Sequence, residues 1–200
     1  MASKVLQIFA KQPEQGRVKT RLAADIGEQQ ACEVYSRLLN NTIKNSCSED
    51  WDLELWCAPD INHFVFRSLA KKFGLRLKAQ SGEGLGERML YALGEGKKVA
   101  DKVVLIGTDC PVISLEYIEQ AFEALNKNDI VFGPVEDGGY ILVGTREINQ
   151  NMFSDVEWSV AGTLNQNIKA IEHCNLSYGL LPELWDLDRV DDLKRWQQLR

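Results

Sequence analysis

The chain has 200 residues, of which 44% are hydrophobic and 26% are charged. Length and composition together exclude a disordered chain, a disulfide-dependent miniprotein and a collagen-like repeat, and they suffice for the core of one globular domain. The net charge of −6 argues against nucleic acid as a partner, because basic residues that neutralise phosphates supply most of the affinity for nucleic acids.

Predicted strands and helices alternate along the chain. In chain order they are a strand at 5–10, a helix at 28–45, a strand at 51–57, a helix at 61–73, a strand at 75–79, a helix at 85–99, a strand at 103–106, a helix at 114–125 with Ser114 as N-cap, strands at 130–132 and 140–143, a helix at 162–173, a strand at 176–181 and a helix at 190–199. This alternation predicts an α/β fold with a mainly parallel sheet, in a single domain over residues 1–200.

The sequence gives no sign of a membrane partner or of secretion. No stretch approaches the ~20 apolar residues of a transmembrane helix, and the apolar run at 5–10 is too short for a signal peptide. Five cysteines without a CxxC pair are typical of reduced thiols. We therefore expect a cytoplasmic protein.

The carboxyl ends of the predicted strands are the expected ligand site, as in other open α/β sheets. The run 103–106 lacks the alternation of a half-exposed strand, so it is predicted to be central. The loops after residues 10, 79, 106 and 132 are therefore expected to carry the chemistry. Residues 1–24 hold five basic residues against one acidic (+4), and residues 183–192 hold five acidic against one basic (−4).

The loop after the first strand is basic. It contains Gly16 and four cations, Lys11, Arg17, Lys19 and Arg21. Backbone N–H groups near the glycine and the cations together could hold a polyphosphate. The spacing of a Walker A loop is absent, and a solvated basic loop is the alternative.

A glycine-rich segment, residues 82–89, follows the third strand. Gly84 and Gly86 permit close approach of backbone to a ligand, and Arg88 follows them. A dinucleotide fingerprint would lie after the first strand, so that interpretation is weak. A flexible turn explains the glycines equally well.

Carboxylates occur after the central strand and near the carboxyl terminus. Asp109 at the end of a central strand suits Mg²⁺, which takes one or two carboxylates plus substrate phosphates, although it could instead cap a turn before Pro111. Asp186 and Asp188, if extended, face the same side and could complete the metal site. The equal alternative is that Asp188, Asp191 and Asp192 cap the last helix and stabilise its dipole.

An acidic turn with two glycines joins the predicted strands at 130–132 and 140–143. Asp-Gly-Gly is by itself a strong hairpin signal. The functional interpretation is that Gly138 and Gly139 let a small acceptor lie against bare backbone.

Five motifs in order give a family resemblance. They are Phe9-Ala-Lys-x-Pro-x-x-Gly-x-Val-Lys-Thr-Arg-Leu22, Leu85-Gly-Glu-Arg-Met89, Ile106-Gly-Thr-Asp-Cys-Pro111, Gly133-Pro-x-x-Asp-Gly-Gly-Tyr140 and Val156-Glu-Trp-Ser159. Together they resemble a bacterial glycosyltransferase-like family of the nucleotide-diphospho-sugar transferase superfamily. Some of its members are named for association with radical-SAM proteins and arsenosugar biosynthesis. The chain is also similar to small nucleotidyltransferases such as the 2-phospholactate guanylyltransferases.

The resemblance implies a GT-A-type (Rossmann-like) fold, with a central, mostly parallel mixed sheet flanked by helices. It implies a triphosphate held by the basic loop, at Lys11, Arg17, Lys19 and Arg21. It also implies Mg²⁺ or Mn²⁺ held by Asp109 with Asp186 or Asp188. Metal-dependent glycosyltransferases of this fold commonly have Asp-x-Asp after the central strand, whereas this chain has a single carboxylate there, which favours nucleotidyl transfer.

A second departure from the family pattern is Val160, which follows Ser159 where the family suggests Ser-Thr. The hydroxyl contact that a threonine at this position could make is therefore in question.

The sequence thus predicts a metal-dependent transferase with a nucleotide donor. The favoured chemistry is nucleotidyl transfer from a nucleoside triphosphate to a small anionic acceptor, with Lys19 and Asp109 as catalytic residues. Trp158 would shape the acceptor side together with the two glycines of the acidic turn. Glycosyl transfer from a nucleotide-sugar and a non-catalytic nucleotide-binding module are the alternatives. Association as a homodimer is left open.

Overall fold

The computed structural model describes residues 3–199, which form seven strands and seven helices. In chain order they are β1 (Lys4–Lys11), α1 (Thr20–Ile26), α2 (Glu28–Asn45), β2 (Asp52–Ala58), α3 (Phe64–Phe73), β3 (Arg76–Ala79), α4 (Leu85–Lys97), β4 (Lys102–Ile106), α5 (Leu115–Ala124), β5 (Ile130–Pro134), β6 (Tyr140–Thr145), α6 (Thr163–His173), β7 (Tyr178–Leu180) and α7 (Val190–Gln198). Among these residues, no helix is long and apolar enough to cross a membrane.

The strands form one sheet in the order β3-β2-β1-β4-β6-β5-β7. Strands β1 to β4 pair in parallel, and β7 pairs in parallel with β5. Strand β6 runs antiparallel to both of its neighbours, β4 and β5. The predicted fold, a mostly parallel mixed sheet flanked by helices, is confirmed.

Apolar cores cover both faces of the sheet. Neighbouring residues of a strand point to opposite faces, so Leu6 joins the core beneath α2, α3 and α5 while Val5 joins the core with α4 and α6. Every residue of β4 is buried, as its continuous apolar run predicts for a central strand.

The sequence patterning and the structure differ mainly at α1. Helix α2 has the predicted bounds, and the predicted N-cap of α5 is present, because the Ser114 hydroxyl accepts a hydrogen bond of 3.2 Å from the Tyr117 amide. Helix α1 is not predicted by the pattern. It has seven residues and buries only Leu22, so it is too short to display a helical period.

One edge of the sheet gathers the loops of interest. Strands β1, β2, β3, β4 and β5 run in the same direction, so the segments that follow them lie along the same edge. The segment 181–189 crosses this edge and is fastened there by backbone hydrogen bonds, from Leu184 N to Pro134 O at 3.0 Å and from Leu187 N to Asp109 O at 2.9 Å.

Candidate active site

The basic loop is folded back against the end of β1. The Tyr35 hydroxyl accepts a hydrogen bond from the Lys11 amide and donates one to the Lys11 carbonyl, at 2.8 and 2.9 Å. Gly16 has φ +75° and Lys19 has φ +48°, so the chain turns sharply twice before α1 begins. These turns direct Lys19 from the end of β1 toward the end of β4.

Lys19 and Asp109 form an ion pair at the centre of this edge. The Lys19 ammonium contacts Asp109 Oδ1 and also donates a hydrogen bond to the Leu187 carbonyl. The Lys19 side chain is only 5% exposed, whereas that of Asp109 is 52% exposed. The ammonium is therefore buried between two oxygen acceptors, and the carboxylate beside it is open to solvent.

The other cations of the loop differ in how they are placed. The Arg21 guanidinium donates a hydrogen bond of 2.7 Å to Asp188, which raises the pKa of Arg21. Arg17 pairs with Glu14 of its own loop at 3.2 Å, and Lys11 is exposed. The structure thus joins Lys19 and Arg21 to the predicted carboxylates, whereas Arg17 pairs within its own loop and Lys11 is exposed.

The segment 181–189 presents its carboxylates to the site as the sequence alternation predicts. Trp185 and Leu187 are buried in a small core with α1 and α2. The intervening Asp186 is half-buried, and burial raises its pKa to about 6. The charges of Asp137 and Asp109 contribute to this increase in pKa and Lys19 opposes it, so all three charges act on Asp186.

Asp188 lies at the side of this cluster. Its carboxylate bonds to Arg21, and it does not cap α7. That role falls to Asp192, whose Oδ2 accepts hydrogen bonds from the Arg189 amide at 2.7 Å and the Asp188 amide at 3.0 Å. The capping alternative therefore holds for Asp192, and Asp191 and Asp192 lie in the first turn of α7, whereas Asp188 bonds to Arg21 instead.

Two of the predicted metal-binding carboxylates suit a phosphate-bound ion. Within residues 3–199, no group of three or more His, Cys, Asp or Glu side chains is arranged to hold a metal by itself. Mg²⁺ needs only one or two carboxylates when substrate phosphates complete its shell. Asp109 is open to solvent, and a cation would stabilise the charged form of Asp186, whose pKa is raised by burial and, to a smaller extent, by the charges of Asp137 and Asp109. Asp109 and Asp186 therefore fit such an ion.

The acidic turn after β5 is a hairpin, as predicted. Gly138 has φ +85°, and a Cβ added there would lie 2.9 Å from the Gly162 amide nitrogen. The Gly138 carbonyl accepts a hydrogen bond of 3.1 Å from the Leu164 amide. This glycine therefore lets the turn pack against the start of α6. At Gly139, a Cβ would lie 3.1 Å from Asp137 Oδ1.

The glycine-rich segment 82–89, which includes the start of α4, contacts Trp158. A Cβ added at Gly86 would lie 3.0 Å from Cζ2 of that indole, whereas nothing lies within 4 Å at Gly84. The indole also packs at 6.3 Å from the ring of Tyr140. Arg88 donates a hydrogen bond of 3.0 Å to the Gly82 carbonyl, so its guanidinium bonds to its own loop.

Sequence reasoning missed Asp137 and the Leu187 carbonyl. Asp137 Oδ1 accepts a hydrogen bond of 2.8 Å from the Gly139 amide, and its charge acts on Asp186. Its position directly before two glycines, at the carboxyl end of β5, was the available signal. The role of the Leu187 carbonyl cannot be predicted from the sequence, because a backbone group is present at every residue.

The protein has an α/β fold of the GT-A-like nucleotide-diphospho-sugar transferase class. The order of the strands defines this fold, and the cluster of cations and carboxylates lies at the carboxyl edge of the sheet. A candidate nucleotide-diphospho-sugar transferase from Desulfovibrio desulfuricans G20 is 29% identical, with a TM-score of 0.87 over 96% of this chain and 85% of that one. A family model described as "Uncharacterized protein conserved in bacteria (DUF2064)" matches residues 42–160, and the chain belongs to this family.

More distant structures share the fold alone. The 4-diphosphocytidyl-2C-methyl-D-erythritol synthase of Anaerococcus prevotii DSM 20548 is 10% identical with a TM-score of 0.64, over 99% of this chain and 96% of that one. The glucosyl-3-phosphoglycerate synthase of Mycobacterium tuberculosis, in complex with Mn²⁺, UDP and glucosyl-3-phosphoglycerate, is 10% identical with a TM-score of 0.56, over 98% of this chain and 76% of that one. The structural neighbours are thus nucleotidyl- and glycosyltransferases. No curated protein sequence matches the chain.

Proposed function

We propose that the protein is a metal-dependent transferase that uses a nucleotide donor, and that it transfers a nucleotidyl group from a nucleoside triphosphate to a small anionic acceptor. The observation that carries this proposal is the ion pair of Lys19 and Asp109 at the carboxyl edge of the sheet, with Asp186 beside it. It combines a cation for phosphate with carboxylates for a metal ion, the groups that phosphoryl-type transfer needs.

The basic loop would hold the triphosphate. Lys19, whose ammonium donates a hydrogen bond to the Leu187 carbonyl, would stabilise negative charge that develops on the phosphate under attack. Arg21 would bind an adjacent phosphate, and the exposed Lys11 and Arg17 would attract the donor from solvent. A metal ion on Asp109 and Asp186 would supply charge neutralisation on the phosphates.

The remaining predicted residues would form the walls of the site. Gly84 and Gly86 would allow the donor to approach the backbone at the start of α4. Trp158, packed on Gly86, would limit the acceptor side. Gly138 and Gly139 would hold Asp137 toward this space.

Glycosyl transfer from a nucleotide-sugar is the second candidate. The likeness to the Desulfovibrio protein, described as a candidate nucleotide-diphospho-sugar transferase, favours it. In this case the metal-bound diphosphate would be the leaving group. The single carboxylate at Asp109, where metal-dependent glycosyltransferases of this fold commonly have two, supports nucleotidyl transfer instead.

Product analysis separates the two candidates. Purified protein is incubated with each nucleoside triphosphate or nucleotide-sugar, Mg²⁺ or Mn²⁺, and a panel of phosphorylated and carboxylated acceptors. Nucleotidyl transfer releases pyrophosphate, and glycosyl transfer releases a nucleoside diphosphate. Asp109→Asn is the control for metal-dependent turnover. Binding of nucleotide without any turnover would instead support the non-catalytic module.

Several narrower predictions belong to this proposal. They are a cytoplasmic location, a nucleotide donor with a small-molecule acceptor as partners, and the absence of nucleic acid and membrane partners. Association as a homodimer stays open. The association with radical-SAM proteins and arsenosugar biosynthesis also stays a prediction.

A further inference from the structure

The candidate active site neutralises its own charges. Lys19 contacts Asp109, and Arg21 bonds to Asp188 at 2.7 Å, so each inward cation of the loop is paired with a carboxylate. On the basis of the proposed function, we propose that Lys19 is a resident counterion of Asp109. Phosphate binding draws the ammonium away from the carboxylate, and the freed carboxylate then binds the metal ion. Nucleotide and metal would therefore bind cooperatively.

The geometry allows this exchange without movement of the backbone. The buried side chains of Val18 and Leu22 anchor the chain on either side of Lys19. The Leu187 amide donates to the Asp109 carbonyl at 2.9 Å, which fixes the distance between the two segments. With the backbone held in this way, the ammonium would move from the carboxylate to a neighbouring phosphate by rotation of the Lys19 side chain.

Charge explains why the exchange would couple the two ligands. The Lys19 side chain is 5% exposed, so its ammonium would turn outward past the 52% exposed Asp109 carboxylate to form a charge-assisted hydrogen bond with a phosphate group. Without its counterion, Asp109 adds uncompensated negative charge next to Asp186 and Asp137. This increases the local affinity for a divalent cation, and linkage requires that the cation increase the affinity for phosphate by the same factor.

The first test uses Mn²⁺ alone and measures its binding by water-proton relaxation. Lys19→Met removes the counterion and keeps the length of the side chain. We expect the variant to bind Mn²⁺ about tenfold more tightly than the wild type, within the usual range of such coupling. The matched control is Arg195→Met, which removes a cation from the exposed pair with Glu136 and should change Mn²⁺ affinity by less than about twofold. Equal Mn²⁺ affinity of wild type and Lys19→Met, including no measurable binding to either, would overturn the proposal.

The second test approaches the pair from the other side and does not depend on the stability of the Lys19 variant. Inorganic triphosphate is titrated by calorimetry in the presence of a chelator. Asp109→Asn releases Lys19, so we expect triphosphate to bind about tenfold more tightly than to the wild type. The control Glu136→Gln also removes one negative charge from an ion pair. Unchanged or weaker binding of triphosphate to Asp109→Asn would contradict the counterion role.

These outcomes separate the counterion role from the transferase activity. If both ion affinities shift as expected but no nucleotide is bound or turned over, the proposed function fails and the counterion role stands. If the wild type binds and turns over nucleotide while neither ion affinity shifts, the counterion role fails alone.

Discussion

Gly86 lies directly under the indole of Trp158, so a side chain at this position would meet Cζ2 at 3.0 Å and Phe153 Cβ at 3.2 Å. The contact joins the start of α4 to the segment before α6. It therefore connects the proposed donor side of the site to the proposed acceptor side.

Gly86→Ala is expected to displace Trp158. Overpacking of this kind costs about 1–3 kcal/mol of unfolding free energy, which urea denaturation would detect. The near-ultraviolet circular dichroism of the indoles should change as well. Gly84→Ala is the matched control, because nothing lies within 4 Å of a Cβ there. Equal stability of the two variants would refute the contact.

Alanine substitutions at Gly94 and Gly96 of α4 are expected to change the stability of the protein in opposite directions. Nothing lies within 4 Å of a Cβ added at Gly94, so Gly94→Ala should stabilise the helix by about 0.5–1 kcal/mol. A Cβ at Gly96 would lie 2.8 Å from Val103 Cγ1 and Gln7 Nε2, so Gly96→Ala should destabilise the protein by about 1–3 kcal/mol. Thermal unfolding measures both changes. Shifts of the same sign would show that α4 packs differently on the sheet.

Asp186 is expected to make stability depend on pH between about 4 and 6, since its folded pKa of about 6 lies above the usual 3.8. In this window the folded state binds more protons than the unfolded state, so the Asp186 contribution to stability falls as pH rises. Asp186→Asn should remove that fall and stabilise the protein at pH 7.5 by about 1–2 kcal/mol, after allowance for solvent screening of a half-buried group. Urea denaturation of both proteins at pH 4.5 and 7.5 measures the difference. A difference that is the same at both pH values would count against the assignment.

Arg21 is expected to contribute directly to donor binding. Arg21→Met removes a charge-assisted hydrogen bond, so the affinity for a triphosphate with Mg²⁺ should fall by about tenfold. Arg146→Met is the control, because it breaks a similar ion pair with Asp129 at 2.9 Å, after β6 and away from the site. Calorimetry at two salt concentrations measures the affinity. If both variants bind alike, Arg21 has only a structural role with Asp188.

Much of the fold follows from local patterns in the sequence. The apolar spacing of α2 and the unbroken apolar run of β4 identify both elements. Helix α1 cannot be predicted from local spacing because it buries only Leu22. Its position depends on packing against the segment that contains Trp185 and Leu187.

The candidate site is only partly predictable from the sequence. The position of Asp109 at the end of β4 and that of Lys19 in the basic loop predict both residues as site residues. The partner of Lys19 on the other side is a backbone carbonyl 168 residues away, at Leu187, and no side-chain pattern encodes such a contact. At Gly138 the sequence pattern suggests that a ligand could lie against the backbone. In the structure, the backbone of Gly162 occupies the space beside this glycine.

The most direct test of the central claim is a thermal-shift measurement with nucleoside triphosphates and nucleotide-sugars, each with and without Mg²⁺ or Mn²⁺. A ligand at about 100 times its dissociation constant stabilises the folded protein by about 2.7 kcal/mol, which is a readily measured shift. We predict that a triphosphate with metal stabilises the wild type more than the triphosphate alone, and that Asp109→Asn loses this metal-dependent increase. No shift with any nucleotide and metal would contradict the claim that the carboxyl edge around Lys19 and Asp109 is a donor site.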